Sequence, residues 1–167
     1  MSDANSKRFT FFWRDQSPFS QWHRSAFEVD GARYVCAEQY MMAGKARLFE
    51  DSEILAKILA SESPKTHKAL GRKVRGFDAA KWEQSREQIV YEGNHAKFTQ
   101  SPALLEALLA TAGTELVEAS PLDRIWGVGL SAGDPRIQDP ATWRGLNLLG
   151  KVLTKLREDL LAQRANA

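Results

Sequence analysis

Ala37-Glu38-Gln39-Tyr40-Met41-Met42-Ala43-Gly44-Lys45-Ala46-Arg47-Leu48-Phe49-Glu50 is where the pattern of the chain turns helical. Glu38 falls in the first turn of that helix, where the dipole favours a negative charge. The N-terminal part of the chain is different in kind. Arg8 to Trp13 and Ala26 to Asp30 are rich in aromatic and β-branched residues, and Asp30-Gly31 is a hairpin signal ahead of Arg33 to Cys36. These runs predict a small antiparallel sheet near the N-terminus. Between them, Arg14 to Arg24 is polar, contains Ser17-Pro18, and carries Phe19 and Trp22, as expected of a loop whose aromatic side chains pack or stack.

Beyond Glu50 the chain reads as helices with clear punctuation. Ser52 to Ala60 predicts a second helix. Ser63-Pro64 reads as an N-cap with proline at the first helical position, opening a short helix that runs through Leu70 and stops at Gly71. Gly76-Phe77-Asp78 is a break before a helix from Ala79 to Phe98, in which Trp82, Arg86, Ile89, Val90 and Gly93 fall on neighbouring positions. Ser101-Pro102 opens another helix, Ala103 to Ala110, ended by Ala112-Gly113. Glu115 to Ala119 reads as a short strand and Pro121 to Gly133 as a loop. A last helix runs from Leu148 to about Gln163, with Leu149, Val152, Leu153, Leu156 and Leu160 at helical spacing. The expected class is α+β, predominantly α-helical: a single multihelical domain over residues 8–160, with flexible termini at 1–7 and 161–167.

Composition narrows the function. With 43% hydrophobic residues in 167, the chain can bury a core without staples. A net charge of +2 is too small to demand a nucleic acid or a membrane partner. Cys36 is the only cysteine, which excludes an internal disulfide and points to a reducing compartment. The first eight residues lack the apolar run of a signal peptide, and no stretch approaches the roughly 20 apolar residues that span a bilayer, so the expected location is the cytoplasm. His23, His67 and His95 show no ligand spacing with Cys36 or with one another, so neither a metal nor a cofactor is expected.

Four constellations could carry chemistry. Glu38 and Lys45 are seven residues apart on one helix, and seven steps of about 100° return nearly to the starting angle, so both point to one side. Met41, Met42 and Phe49 flank that side. A lysine on a partly apolar face loses solvation of its ammonium, which lowers its pKa and frees it as a nucleophile or base; a nearby carboxylate can shuttle protons. The plainer alternative is a first-turn acid and a solvated lysine. Glu118, Asp123 and Arg124 alternate with apolar groups just before Trp126-Gly127-Val128-Gly129, where glycines let a backbone approach a ligand and the indole offers a stacking surface. A tryptophan packed under a glycine turn explains the same residues, and the spacing matches no phosphate-binding glycine fingerprint. Lys65, His67, Lys68, Arg72, Lys73 and Arg75 surround the break at Gly71 and form either a phosphate site or a solvated face. Trp143, Arg144 and Asn147 precede the last helix, where the Asn147 amide could cap it or bond a ligand hydroxyl.

These pieces together resemble one family, the YbiA-like proteins of the NADAR superfamily. The matching blocks are Ser17-Pro18-Phe19-Ser20-Gln21-Trp22, Asp30 to Tyr34, Ala37 to Ala46, Leu70-Gly71-Arg72, Trp82, Lys97-Phe98, Leu116 to Ser120 with Asp123 and Trp126 to Gly129, and Gly145 to Gly150 with Arg157. They span about Phe9 to Arg157. Gln21 stands where the family often has asparagine, and Gly44 where glutamine is common; the Glu38 and Lys45 pair is intact.

The resemblance implies the YbiA-like fold and a cofactor-free N-glycosidase that hydrolyses early riboflavin biosynthesis intermediates, releasing ribose 5-phosphate and an aminopyrimidine. It implies a Schiff base at Lys45, with Glu38 moving protons. Trp126 and Trp82 are the expected stacking surfaces, Arg72 and Lys68 the expected phosphate contacts, and Gly127, Glu118, Asp123 and Asn147 further substrate contacts. Relatives that remove ADP-ribose from guanine make an ADP-ribosyl-guanine hydrolase the second reading, the one in which a nucleic acid would be a partner. A non-catalytic module binding ADP-ribose-like nucleotides is the third. The oligomeric state stays open.

Overall fold

A computed structural model describes residues 8–167; the flexible segment expected at 1–7 lies outside the described residues. In chain order the elements are β1 (Phe9–Phe12), β2 (Phe27–Val29), β3 (Ala32–Tyr34), α1 (Ala37–Leu48), α2 (Ser52–Ala60), α3 (Pro64–Gly71), α4 (Ala79–Thr99), α5 (Pro102–Leu109), β4 (Glu115–Glu118) and α6 (Leu148–Ala165). Two 3-10 turns, Pro135–Gln138 and Pro140–Thr142, precede α6. The chain is α+β and mostly helical. Its contacts gather into two compact units: residues 14–105, and residues 8–13 together with 106–167. No helix among the described residues is long and apolar enough to cross a membrane.

In the unit of residues 14–105, β2 and β3 form the expected antiparallel hairpin, with Phe27 opposite Tyr34 and Val29 opposite Ala32. Asp30 at φ 51° and Gly31 at φ 80° supply the two left-handed residues that a tight hairpin turn needs. The Ser63 cap agrees with the sequence signal, and two aspartates cap in the same way. Asp51, Ser63 and Asp78 accept from the backbone N–H of Ile54, Thr66 and Lys81 and start α2, α3 and α4, with Pro64 opening α3. Helices α1 and α4 run antiparallel and each offers the other a glycine: Ile89 occupies the place where a Cβ on Gly44 would sit, and the Tyr40 ring does the same at Gly93. This close approach fixes which α4 residues face α1.

The unit of residues 8–13 and 106–167 is built on a two-stranded parallel pair. β1 runs alongside β4, Phe9 opposite Glu115 and Phe12 opposite Glu118. This departs from the expected placement of Arg8 to Trp13 beside the hairpin. The reason lies in the core: Phe9 packs with Val117, Ala119, Val128, Leu130 and Ile137, an apolar set supplied entirely from the C-terminal third. Helix α6 covers β4 with Leu149, Leu153 and Leu156, each fully buried, worth about 1.5–3 kcal/mol apiece. It extends to Ala165, so residues 161–165 of the expected C-terminal tail are helical.

Candidate active site

Helix α1 starts without a side-chain cap, its N-cap being Cys36. Its first turn is anchored instead from outside, by the Glu38 N–H donating to the Gln21 carbonyl at 2.9 Å. Glu38 is buried at 5% exposure, and Lys45 is half-buried two turns on. The Lys45 Nζ lies 4.6 Å from the centre of the Phe77 ring and 5.6 Å from that of Trp82. Two rings that cover an amine remove water from it. Burial is accordingly the main cause that pushes the Lys45 pKa below its ordinary value; the Arg72 guanidinium pushes it further down, and the Glu38 charge pulls it back up. The rings attract an ammonium by about 0.5–1 kcal/mol at such a site, so they fix its position while pulling it slightly back toward the charged form. The arrangement is that of an amine kept available for attack.

Behind Glu38 lies a polar layer that holds the loop 17–22 in place. Lys97, 1% exposed, donates to the Ser20 carbonyl at 3.0 Å, and burial brings its pKa down to about 7. The Asn94 Nδ2 donates to both the Gln21 Oε1 and the Val90 carbonyl at 2.9 Å. Cys36 sits 3.7 Å from the His67 Nδ1, and burial pushes its thiol up to about 11, which makes it a packing residue rather than a nucleophile.

The basic cluster around Gly71 does not act as one patch. His67 is fully buried and bonds the Ser61 carbonyl at 2.6 Å. Arg75 forks onto Asp51 at 2.9 Å and reaches Glu53 at 3.3 Å. Lys65, Lys68 and Lys73 lie toward solvent. Of the two expected phosphate contacts, Arg72 bears on Lys45 electrostatically, and Lys68 is exposed on α3. The unit thus brings Glu38, Lys45, Trp82 and Arg72 together. A surface cavity of about 450 Å³ elsewhere, lined by Arg24, Arg33, Gln39, Ser61 and Glu62 among others, includes none of the expected site residues.

In the second unit the remaining candidates form one tightly built loop. The Asp123 Oδ1 accepts from the N–H groups of Ile125 at 2.9 Å and Trp126 at 2.8 Å, turning the chain so that the half-buried Trp126 stands at its apex. Gly127 lies 3.0 Å, measured from a would-be Cβ, from the carbonyls of Asp123 and Glu118, so a side chain there would strain the turn. Asn147, fully buried and at φ 53°, caps nothing with its side chain. Its amide instead clamps β4, accepting from the Glu118 N–H at 3.0 Å and donating to the Leu116 carbonyl at 3.1 Å. The capping expected of it as one alternative is therefore not what its side chain does.

Sequence reasoning missed Phe77, Arg86 and the Gln21–Asn94 pair. Phe77 is visible in the sequence only as part of a break; a large aromatic with 49% exposure between two helices is the signal that it covers something. Arg86 falls on the correct face of α4 by spacing, but spacing gives it no role.

Comparison with known proteins identifies the family. The NADAR domain family matches residues 11–161. The N-glycosidase R617 of Acanthamoeba polyphaga mimivirus is 47% identical over 146 residues, covering 84% of this chain and 86% of its own. A maize protein named riboflavin biosynthesis protein PYRR, chloroplastic, is 34% identical over 113 residues, covering 65% of this chain and 16% of its own. The NMR structure of the E. coli protein YbiA superposes with a TM-score of 0.79 at 29% identity, covering 96% of this chain and 89% of that one. The chain belongs to the NADAR domain family.

Proposed function

We propose that this protein is an N-glycosidase that cleaves the bond between a ribose 5-phosphate and the amine of an aminopyrimidine, with Lys45 as nucleophile and Glu38 as proton carrier. One observation carries the reading: a half-buried amine, pushed toward neutrality and held by two aromatic rings, with a buried carboxylate on the same helix face. The names of the mimivirus and maize relatives support the reaction and the substrate class respectively.

A ribosylamine opens to an imine, with its ring oxygen taking a proton. Neutral Lys45 adds to the imine carbon, the pyrimidine amine leaves with a proton from Glu38, and a lysine Schiff base remains. Water, deprotonated by Glu38, adds to that Schiff base; the amine of Lys45 departs and ribose 5-phosphate is released. No redox change occurs, and one water is consumed per bond cut. This differs from the paired carboxylates of O-glycosidases, where no amine is needed.

The deciding assay is side-by-side turnover of the ribosylaminopyrimidine phosphate and of ADP-ribosylated guanine. Release of ribose 5-phosphate in the first is expected; faster release of ADP-ribose in the second would replace this reading with the guanine hydrolase. Tight nucleotide binding without turnover of either would leave a binding module.

The pH profile carries a second expectation. Activity needs neutral Lys45, so it rises with pH through the lowered pKa of that amine. Arg72→Gln removes a nearby positive charge, which raises that pKa and moves the rising limb to higher pH. A limb that stays in place would show that another group governs it.

A further inference from the structure

We propose that Arg86 is the residue that binds the phosphate of the ribosyl substrate, a role that rests on the N-glycosidase reading above. Trp82, Arg86, Ile89 and Gly93 lie three or four residues apart on α4 and so share one face. That face is turned to α1: the Tyr40 ring fills the space at Gly93, Ile89 fills the space at Gly44, and the Trp82 ring covers the Lys45 amine. Arg86 emerges between Trp82 and Ile89.

Arg86 is half-buried, and its Nε is fully shielded from solvent with no hydrogen-bond partner among the described residues. No ion pair among the described residues involves it. Two other cations withdrawn from solvent in this protein are satisfied. Arg157 donates to the Thr111 carbonyl at 2.9 Å and to Glu158 at 2.6 Å, and Lys97 donates to the Ser20 carbonyl. A charged donor withdrawn from water without an acceptor is unfavourable unless something else supplies one. A guanidinium presents a planar fork that matches phosphate oxygens two at a time. The proposed substrate carries one such dianion, on the sugar that Lys45 must hold. Arg86, one helical turn from Trp82, is placed to receive it, where the sequence pointed to Arg72 and Lys68.

The test compares wild type, Arg86→Gln and Arg86→Lys on the ribosylaminopyrimidine with and without its 5'-phosphate. A phosphate contact predicts that Arg86→Gln raises KM for the phosphorylated substrate at least about tenfold, leaves the dephosphorylated one within about twofold, and is partly rescued by Arg86→Lys. Equal losses on both substrates, or none, would overturn the assignment. Should neither compound turn over, the N-glycosidase reading fails by itself, and titration with ribose 5-phosphate monitored by NMR still decides this one. Weakened binding in Arg86→Gln upholds the anion site; unchanged binding, or none in the wild type, rejects it. Arg86→Lys keeps the comparison open if the glutamine variant does not fold.

Discussion

Lys45→Ala should lower turnover by about 10³-fold or more, because it removes the amine proposed to form the covalent intermediate. The loss should appear in kcat with substrate binding largely retained, since the rings of Phe77 and Trp82 and the cations around them stay in place. Lys45→Arg should not rescue it: a guanidinium keeps its charge at any accessible pH and has no free electron pair to attack with. The half-exposed position predicts a stability change within about 1 kcal/mol, so thermal melts separate a chemical defect from an unfolded protein. Borohydride added during turnover should leave a reduced sugar adduct on Lys45 in the wild type and none in the alanine variant. Persistent activity in Lys45→Ala would remove the Schiff base from the mechanism and leave direct attack by water assisted by Glu38.

The second large effect concerns stability. Gly150 sits in the first turn of α6, where a Cβ would overlap the Leu116 carbonyl oxygen and both amide atoms of Asn147. Neither neighbour can yield cheaply. The carbonyl belongs to β4, and the Asn147 amide is what satisfies the Leu116 carbonyl and the Glu118 N–H. Gly150→Ala should therefore cost about 3 kcal/mol or more, through overpacking and the loss of buried hydrogen bonds together, a fall of roughly 6–12 °C in melting temperature for a chain of this size. Gly133→Ala is the matched control: nothing lies within 4 Å of its would-be Cβ, and a change within about 0.5 kcal/mol is expected. Equal melting temperatures for the two variants would mean that α6 does not need its close approach to β4. By contrast, a Cβ at Gly71 meets the end of the Met42 side chain, a flexible group that can move aside.

The contrast between what sequence and structure reveal is sharpest at β1. Phe9 to Phe12 read as a strand because of their side chains, and they are one, but no local signal names the partner. Parallel pairing with Glu115 to Glu118 joins segments separated by most of the chain, and it is selected by the core shared by Phe9, Val117, Val128 and Ile137. The Asp30-Gly31 hairpin was legible because its register depends on a turn of two residues. The start of α3 at Ser63 was legible for the same reason, a side chain reaching an N–H three residues away; Asp51 and Asp78 cap α2 and α4 by the same local bond.

The site divides along the same line. That Glu38 and Lys45 share a helix face stems from a seven-residue spacing, a property of the backbone that sequence determines by itself. That Lys45 is short of water, that Arg72 bears on it, that the Arg86 Nε has no acceptor among the described residues, and that Asn147 clamps a strand were decided by tertiary structure. Helical periodicity and capping are enforced by hydrogen bonds and sterics over a few residues, so they are written locally. Desolvation and the pairing of buried polar groups are sums over neighbours that distant segments bring in, and only the folded chain says which those are.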